Sequence, residues 1–175
     1  MIYYAAGVLI MSWYKDELYV LLGKDHYETY SDFGGKCDSA DMNNQQNTAS
    51  REMYEETCGC IFDVTEIKHI IKGAPIINTR SYTDKPYYMY VIFIPYDEKH
   101  SENFEKVFSY ISKLPKMIKF LEKTSIKWIK FEDVVYKNVK LRNIFQKTIE
   151  IHKNNILKIA YNYLTTNKSY NNGKP

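Results

Sequence analysis

Between positions 44 and 57, the hydrophobic pattern of this chain changes from the period of a strand to that of a helix. Ala49, Met53 and Thr57 recur every four residues, so they would line one face of a helix and anchor it to a core. Apolar runs typical of strands lie on both sides of this segment. The order of strands, helix, strands and helix predicts an α+β protein or an α/β/α sandwich.

The remaining elements follow from the same patterns. Apolar, β-branched or aromatic runs predict strands over residues 3–13, 17–23, 67–77, 87–96 and 125–131, the first two forming a hairpin. Helical spacing predicts helices over residues 104–114 and 141–163, and the polar segment 26–38 predicts a loop. A chain of 175 residues has the usual size of one domain. We expect a single domain over residues 1–164 and a polar, frayed tail over residues 165–175.

Three glutamates share the face of the first predicted helix opposite its apolar anchor. Because a helix turns by about 100° per residue, Glu52, Glu55 and Glu56 fall within roughly a third of its circumference. Carboxylates this close repel one another, so we expect a cation to neutralise them. Mg²⁺ or Mn²⁺ is the hard, oxygen-seeking ion that suits such a cluster. Arg51, four residues before Glu55, would pair with that carboxylate. The alternative is a solvated acidic helix face with a modest Arg51–Glu55 pair.

A glycine pair precedes this helix. Glycines at positions 34 and 35 permit close approach of the backbone, and their place upstream of a helix would present backbone groups to a phosphate or a metal. Lys36 follows directly, and it is either a ligand of substrate phosphate or an exposed loop lysine.

Together these residues resemble the Nudix family, whose box reads G-x5-E-x7-R-E-U-x-E-E-x-G-U, where U is aliphatic. Gly35 matches the first glycine, and the segment 51–56 matches R-E-U-x-E-E without a gap. Three positions depart from the box. Asp41 stands in place of Glu, and nine residues rather than seven separate it from Arg51. Cys58 occupies the second glycine position of the box, so Gly59 comes one residue late. The two-residue insertion leaves the role of Asp41 open.

The resemblance implies a Nudix-type α/β/α sandwich with a mixed sheet between helices, and a metal-dependent hydrolase of diphosphate linkages. The metal ligands would be the Gly35 carbonyl with Glu52, Glu55 and Glu56, binding one to three Mg²⁺ or Mn²⁺ ions. Glu52 and Glu55 would be catalytic together with Arg51. The general base would be Glu52 or Glu122, which lies six residues before a tryptophan. Glu98 and Glu102 compete with Glu122 for that role, and the alternative that the sequence favours for each of these three is an exposed surface glutamate.

The substrate is less sharply indicated. We expect a phosphorylated small molecule, such as a nucleoside-diphosphate derivative or a diphosphoinositol, or a capped RNA. Arg80 would bind phosphate or be simply exposed, and Tyr27, Tyr30, Tyr82 or Tyr87 would stack on a base. The alternative function is a catalytically silent Nudix-like module that binds RNA or a nucleotide; metal-dependent turnover would distinguish the two.

A basic segment bears on this choice. Between positions 105 and 130 seven lysines accompany two glutamates, and they would form an outward basic face. This face is either solvated surface or a binding site for a polyanion such as capped RNA.

Composition places the chain in a cellular setting. Its three cysteines lack the paired spacing of a zinc site and indicate a reducing compartment. Its apolar N-terminus is too short to span a membrane and has no basic leader, so we expect a cytoplasmic protein with neither a membrane nor a DNA partner. The abundance of Lys, Ile, Asn and Tyr is typical of an AT-rich genome, such as those of some large DNA viruses or protists.

Overall fold

The computed structural model describes the backbone of residues 3–171 and side chains as far as residue 167. Over this range the strands are β1 Ala5–Tyr14, β2 Glu17–Asp25, β3 Tyr30–Ser31, β4 Phe33–Lys36, β5 Ile76–Arg80, β6 Pro86–Phe93 and β7 Lys123–Lys130. The α-helices are α1 Gln45–Glu56, α2 Val64–Ile71, α3 Lys99–Ile111, α4 Phe131–Val135 and α5 Asn143–Asn171. Two 3-10 helices cover Ser39–Asp41 and Pro115–Phe120.

The strands form one mixed sheet around β1. This strand pairs antiparallel with β2 and β4 and parallel with β6. The sheet extends through β7 on β2 and through β5 on β6. A two-residue turn at Lys15 and Asp16, both with positive φ, joins β1 to β2, as a tight hairpin between right-twisted strands requires. The predicted hairpin is confirmed.

Helices cover both faces of the sheet. Successive side chains of β1 point to opposite faces and are therefore buried on both sides. Val8 and Ile10 belong to a core that includes Met53 of α1 together with residues of α2 and α3. Leu9 and Met11 belong to a second core, which includes residues of α4 and α5. This double burial explains why β1 is an unbroken apolar run. The predicted α/β/α sandwich with a mixed sheet is confirmed.

The predicted strand over residues 67–77 is wrong except for its last two residues. Residues Val64–Ile71 form α2, and a strand begins only at Ile76. The Asp63 side chain accepts the Glu66 N–H while the Glu66 side chain accepts the Asp63 N–H, so a capping box starts the helix. Ile67 and Ile71, four residues apart, are then both buried against the core.

The predicted loop over residues 26–38 is also corrected, because it contains β3 and β4. Gly34 of β4 lies opposite Gly7 of β1. A Cβ atom at Gly34 would collide with the Tyr87 hydroxyl group and lie 2.7 Å from the Gly7 Cα. Gly7 and Gly34 therefore allow β1 and β4 to pack closely, although the glycine pair at positions 34 and 35 suggested a loop.

The last helix extends beyond the predicted start of the tail. α5 is helical through Asn171, and residues 172–175 lie outside the described residues. Within the described part of the chain, every helix is too short or too polar to cross a membrane.

Candidate active site

Helix α1 is fixed so that its carboxylates face β4. The Asn44 side chain caps the helix by accepting the N–H groups of Gln46 and Asn47. Ala49 and Met53 are completely buried against the core, as predicted. The opposite face of α1 carries the three glutamates of the box.

Gly35 brings the backbone of β4 against one of these glutamates. A Cβ atom at this position would lie 2.5 Å from the Glu52 carboxylate, so only glycine leaves room for it. The Gly34 N–H donates a 2.7 Å hydrogen bond to Glu56 Oε2. The glycine pair therefore permits the close approach that the sequence predicted, but from a strand instead of a loop.

One guanidinium group organises three carboxylates. Arg51 donates from Nε to Asp41 Oδ1 at 3.0 Å and from Nη2 to Asp41 Oδ2 at 2.9 Å. Its Nη1 lies 2.8 Å from Glu52 Oε1 and 3.1 Å from Glu55 Oε2, as the predicted i,i+4 pair requires. Its Nη2 also donates to the Lys36 carbonyl at 2.9 Å, which ties α1 to the end of β4.

Asp41 reaches Arg51 in spite of the two-residue insertion. Met42 and Asn43 both adopt left-handed backbone conformations, with φ of 53° and 56°, and turn the chain directly into α1. Thr48 Oγ1 donates to Asp41 at 2.9 Å. Burial raises the pKa of Asp41, but the Arg51 guanidinium outweighs it and holds this pKa below its ordinary value. Asp41 is therefore a positioning group for Arg51.

Two lysines complete the cluster of charges. Lys119 Nζ lies 2.6 Å from Glu55 Oε1, and Lys123 Nζ lies 3.4 Å from Glu56 Oε1. The predicted outward basic face is wrong for Lys123, which is only 1% exposed. Its position at the start of β7 directs it beneath α1, where Gly23 leaves space for its stem.

Burial changes the proton affinity of the cluster. It raises the pKa of Glu52 to about 7, although Arg51 opposes the change. Burial also raises the pKa of Glu56, while the Lys123 ammonium favours its charged form. Glu52 therefore changes charge near neutral pH, which is the range required of a general base in an enzyme.

The positive charge that the three neighbouring glutamates of α1 require is supplied in part by the protein itself. Arg51, Lys119 and Lys123 pair with the three glutamates of α1. Among the described residues, no group of three or more His, Cys, Asp or Glu side chains is arranged to hold a metal ion. All three cysteines are free thiols.

Two cavities meet at the cluster. The first, of about 480 Å³, is lined by Gly35, Arg51 and Glu52, and by the predicted substrate ligands Lys36 and Arg80. The second, of about 680 Å³, reaches the buried end of the cluster. Four residues line both cavities: Tyr82, Glu122, Arg142 and Ile144.

The structure distinguishes the three glutamates that were considered as a further catalytic carboxylate. Glu122 is exposed at the shared wall, and its charge contributes to the raised pKa of Glu52. Glu98 and Glu102 lie at the start of α3 and line neither cavity. Of the tyrosines considered for stacking, Tyr82 lines both cavities, Tyr87 the first and Tyr27 the second.

Sequence reasoning missed two residues that line the first cavity, Arg142 just before α5 and Phe145 in its first turn. Two backbone hydrogen bonds bring the start of this helix to the site, from Arg142 N to Tyr30 O and from Tyr30 N to Lys140 O. They join segments more than 100 residues apart, so no local sequence pattern predicts them.

No family model matches this sequence, and no curated protein does. The structure is similar to the Nudix domain of Shewanella oneidensis NrtR complexed with ADP ribose, with 14% identity, 87% of each chain covered and a TM-score of 0.52. It is also similar to a binary complex of C. elegans Ap4A hydrolase, with 14% identity, 88% of this chain and 98% of that chain covered, and a TM-score of 0.53. The chain therefore has the Nudix fold, as its box predicted.

Proposed function

We propose that this chain is a divalent-metal-dependent hydrolase that cleaves the diphosphate linkage of a nucleoside-diphosphate derivative. One observation carries the proposal. Arg51 pairs with both Glu52 and Glu55, and Glu52 lies against the bare backbone of Gly35 at the wall of a cavity that Lys36 and Arg80 also line. Acidic and basic groups thus meet where a metal and a phosphate would both be required.

The donors fit Mg²⁺ or Mn²⁺ once one lysine moves. The Gly35 carbonyl, Glu52 and Glu55 offer the hard oxygen atoms that these ions bind. Lys119 now pairs with Glu55, but its side chain is 61% exposed and can leave without disturbing the core. When bound, the ion would neutralise the diphosphate and lower the pKa of a water molecule. Glu56 is the fourth donor predicted from the sequence. It differs from the other three donors because it pairs with the buried Lys123.

The residues of the chain then have distinct roles. Glu52 is the first candidate to accept the proton of the attacking water, and Arg51 fixes this carboxylate through Oε1. Arg51 is a positioning residue that fixes Glu52 and Glu55. Glu122 is the second candidate for the proton, since it stands at the shared wall of both cavities.

The cavity favours a small molecule with an aromatic end. Arg80 and Arg142 would bind the phosphates, while the Tyr82 ring and the apolar surface of Phe145 suit a nucleobase. Of the similar proteins, the NrtR Nudix domain is complexed with ADP ribose, and the C. elegans protein is an Ap4A hydrolase. Capped RNA has weaker support, because Lys119, Lys123 and Lys130 each pair with a glutamate of the chain.

The second candidate is the silent binding module, and one observation favours it. The glutamates of α1 are already paired with protein cations, so the fold does not depend on a metal. Such a module would bind a nucleotide in the same cavity without turnover.

A substrate panel tests the proposal. ADP-ribose, a dinucleoside tetraphosphate, a nucleoside triphosphate, a diphosphoinositol and capped RNA are incubated with Mg²⁺, Mn²⁺ or a chelator, and products are identified by mass spectrometry. We expect metal-dependent release of a nucleoside monophosphate or a nucleotide from the first two. Binding without turnover in any metal would support the silent module.

A further inference from the structure

Lys123 is built into the protein at both ends of its side chain. Its stem passes over Gly23, where a Cβ atom would lie 2.7 Å from Lys123 Cδ. Its ammonium group donates to Ser31 Oγ at 2.7 Å and lies 3.4 Å from Glu56 Oε1. Strands β2 and β3 and helix α1 therefore surround the cation that β7 carries, and the Lys123 side chain is only 2% exposed.

Both oxygen atoms of Glu56 have a partner in the protein. Oε1 faces the Lys123 ammonium, and Oε2 accepts the Gly34 N–H at 2.7 Å. The contrast with Glu55 is sharp, because the lysine on Glu55 is 61% exposed and free to leave. Removing Lys123 from Glu56 would instead require an ammonium group to lose its partner inside the protein, which is costly.

We infer that Lys123 is the permanent counter-cation of Glu56 and takes this carboxylate out of the set that binds a divalent ion. The inference rests on the proposed function for the metal itself. A divalent ion then binds to Glu52, Glu55 and the Gly35 carbonyl, and Glu56 is a positioning residue that holds β4 against α1 through the Gly34 N–H.

Titration of metal-free protein with Mn²⁺, followed by electron paramagnetic resonance of the free ion, tests this assignment. Glu55→Gln should weaken Mn²⁺ binding by at least tenfold, whereas Glu56→Gln should change it by less than threefold. A tenfold loss in Glu56→Gln would overturn the inference while leaving the proposed function intact.

The variant Glu56→Gln leaves Lys123 buried without its anion, so a paired variant guards against loss of the fold. Glu56→Gln with Lys123→Met removes both charges and nearly conserves both shapes. We expect it to bind Mn²⁺ within threefold of wild type; a tenfold loss here too would overturn the inference.

Thermal melts of metal-free protein test the pair without any metal. Lys123→Met alone should lower the melting temperature, because Glu56 loses its cation, and adding Glu56→Gln should recover at least half of the loss. No recovery would contradict the pairing. Failure of wild type to bind Mn²⁺ would instead contradict the proposed function, and the melts would still decide the role of Lys123.

Discussion

Arg51 and Asp41 form a two-point ion pair across an insertion that breaks the spacing of the Nudix box. The two N···O distances are 3.0 Å and 2.9 Å, and Asp41 is 3% exposed. Arg51 in turn holds Glu52 and Glu55. The residue that departs from the box in both identity and spacing thus supports the arginine that organises the site.

Asp41→Asn should lower the free energy of unfolding by roughly 2–3 kcal/mol, because a half-buried guanidinium loses its charged partner. Urea denaturation of metal-free protein measures this change. Asp84→Asn is the matched control, since Asp84 is exposed and its side chain lies outside the site. Equal effects of the two substitutions would show that the pair contributes nothing specific.

Mg²⁺ or Mn²⁺ should raise the melting temperature of the wild-type protein. At 100 times its Kd an ion stabilises the native state by about 2.7 kcal/mol, which corresponds to a rise of roughly 5–10 °C for a chain of this size. Glu55→Gln should lose most of this rise in melting temperature. Glu105→Gln, which changes an exposed glutamate, should keep it. A rise of equal size in all three proteins would place the ion elsewhere.

Stability without metal should fall as the pH rises from 5 to 8. Burial raises the pKa of Glu52 from its ordinary value of 4.5 to about 7. The folded protein therefore binds this proton more tightly than the unfolded chain, and the stability it contributes is lost as pH rises through 7. Urea denaturation at several pH values should show a flatter decline in Glu52→Gln. An unchanged slope would mean that Glu52 does not titrate in this range.

Arg142→Gln should raise KM for the substrate about tenfold and change kcat little, since Arg142 would bind phosphate away from the attacking water under the proposed function. Its side chain lines both cavities. Lys153→Gln, an exposed change farther along α5, is the control for loss of charge. Steady-state kinetics at two salt concentrations distinguish a local contact from general electrostatic attraction, because only the latter should weaken strongly with salt.

Much of the fold could be predicted because its signals are local. The period of α1, the apolar run of β1 and the spacing of the box each depend on residues near in sequence. The helix α2 was missed because Ile67, Ile70 and Ile71 look like a strand unless the Asp63–Glu66 capping box is weighed. Here local polar chemistry outweighed apolar composition.

The site could be predicted only where one helix carries it. Glu52, Glu55 and Glu56 follow from helical geometry, whereas the cations that meet them come from distant segments. Lys123 resembled its exposed neighbours in sequence, and only its register on β7 and the space above Gly23 bury it. Arg142 reaches the cavity through backbone contacts with β3. Such pairings arise from tertiary structure, which a single sequence does not state.

The most direct test of diphosphate hydrolysis is kcat/KM for the best substrate of the panel in Mg²⁺, measured for wild type, Glu55→Gln and Glu105→Gln. Loss of a metal ligand removes several kcal/mol of transition-state stabilisation, so Glu55→Gln should fall by at least about 100-fold. Glu105→Gln should keep the wild-type value, and a chelator should abolish turnover in all three proteins. Turnover that survives both the chelator and Glu55→Gln would contradict a metal-dependent hydrolase at this site.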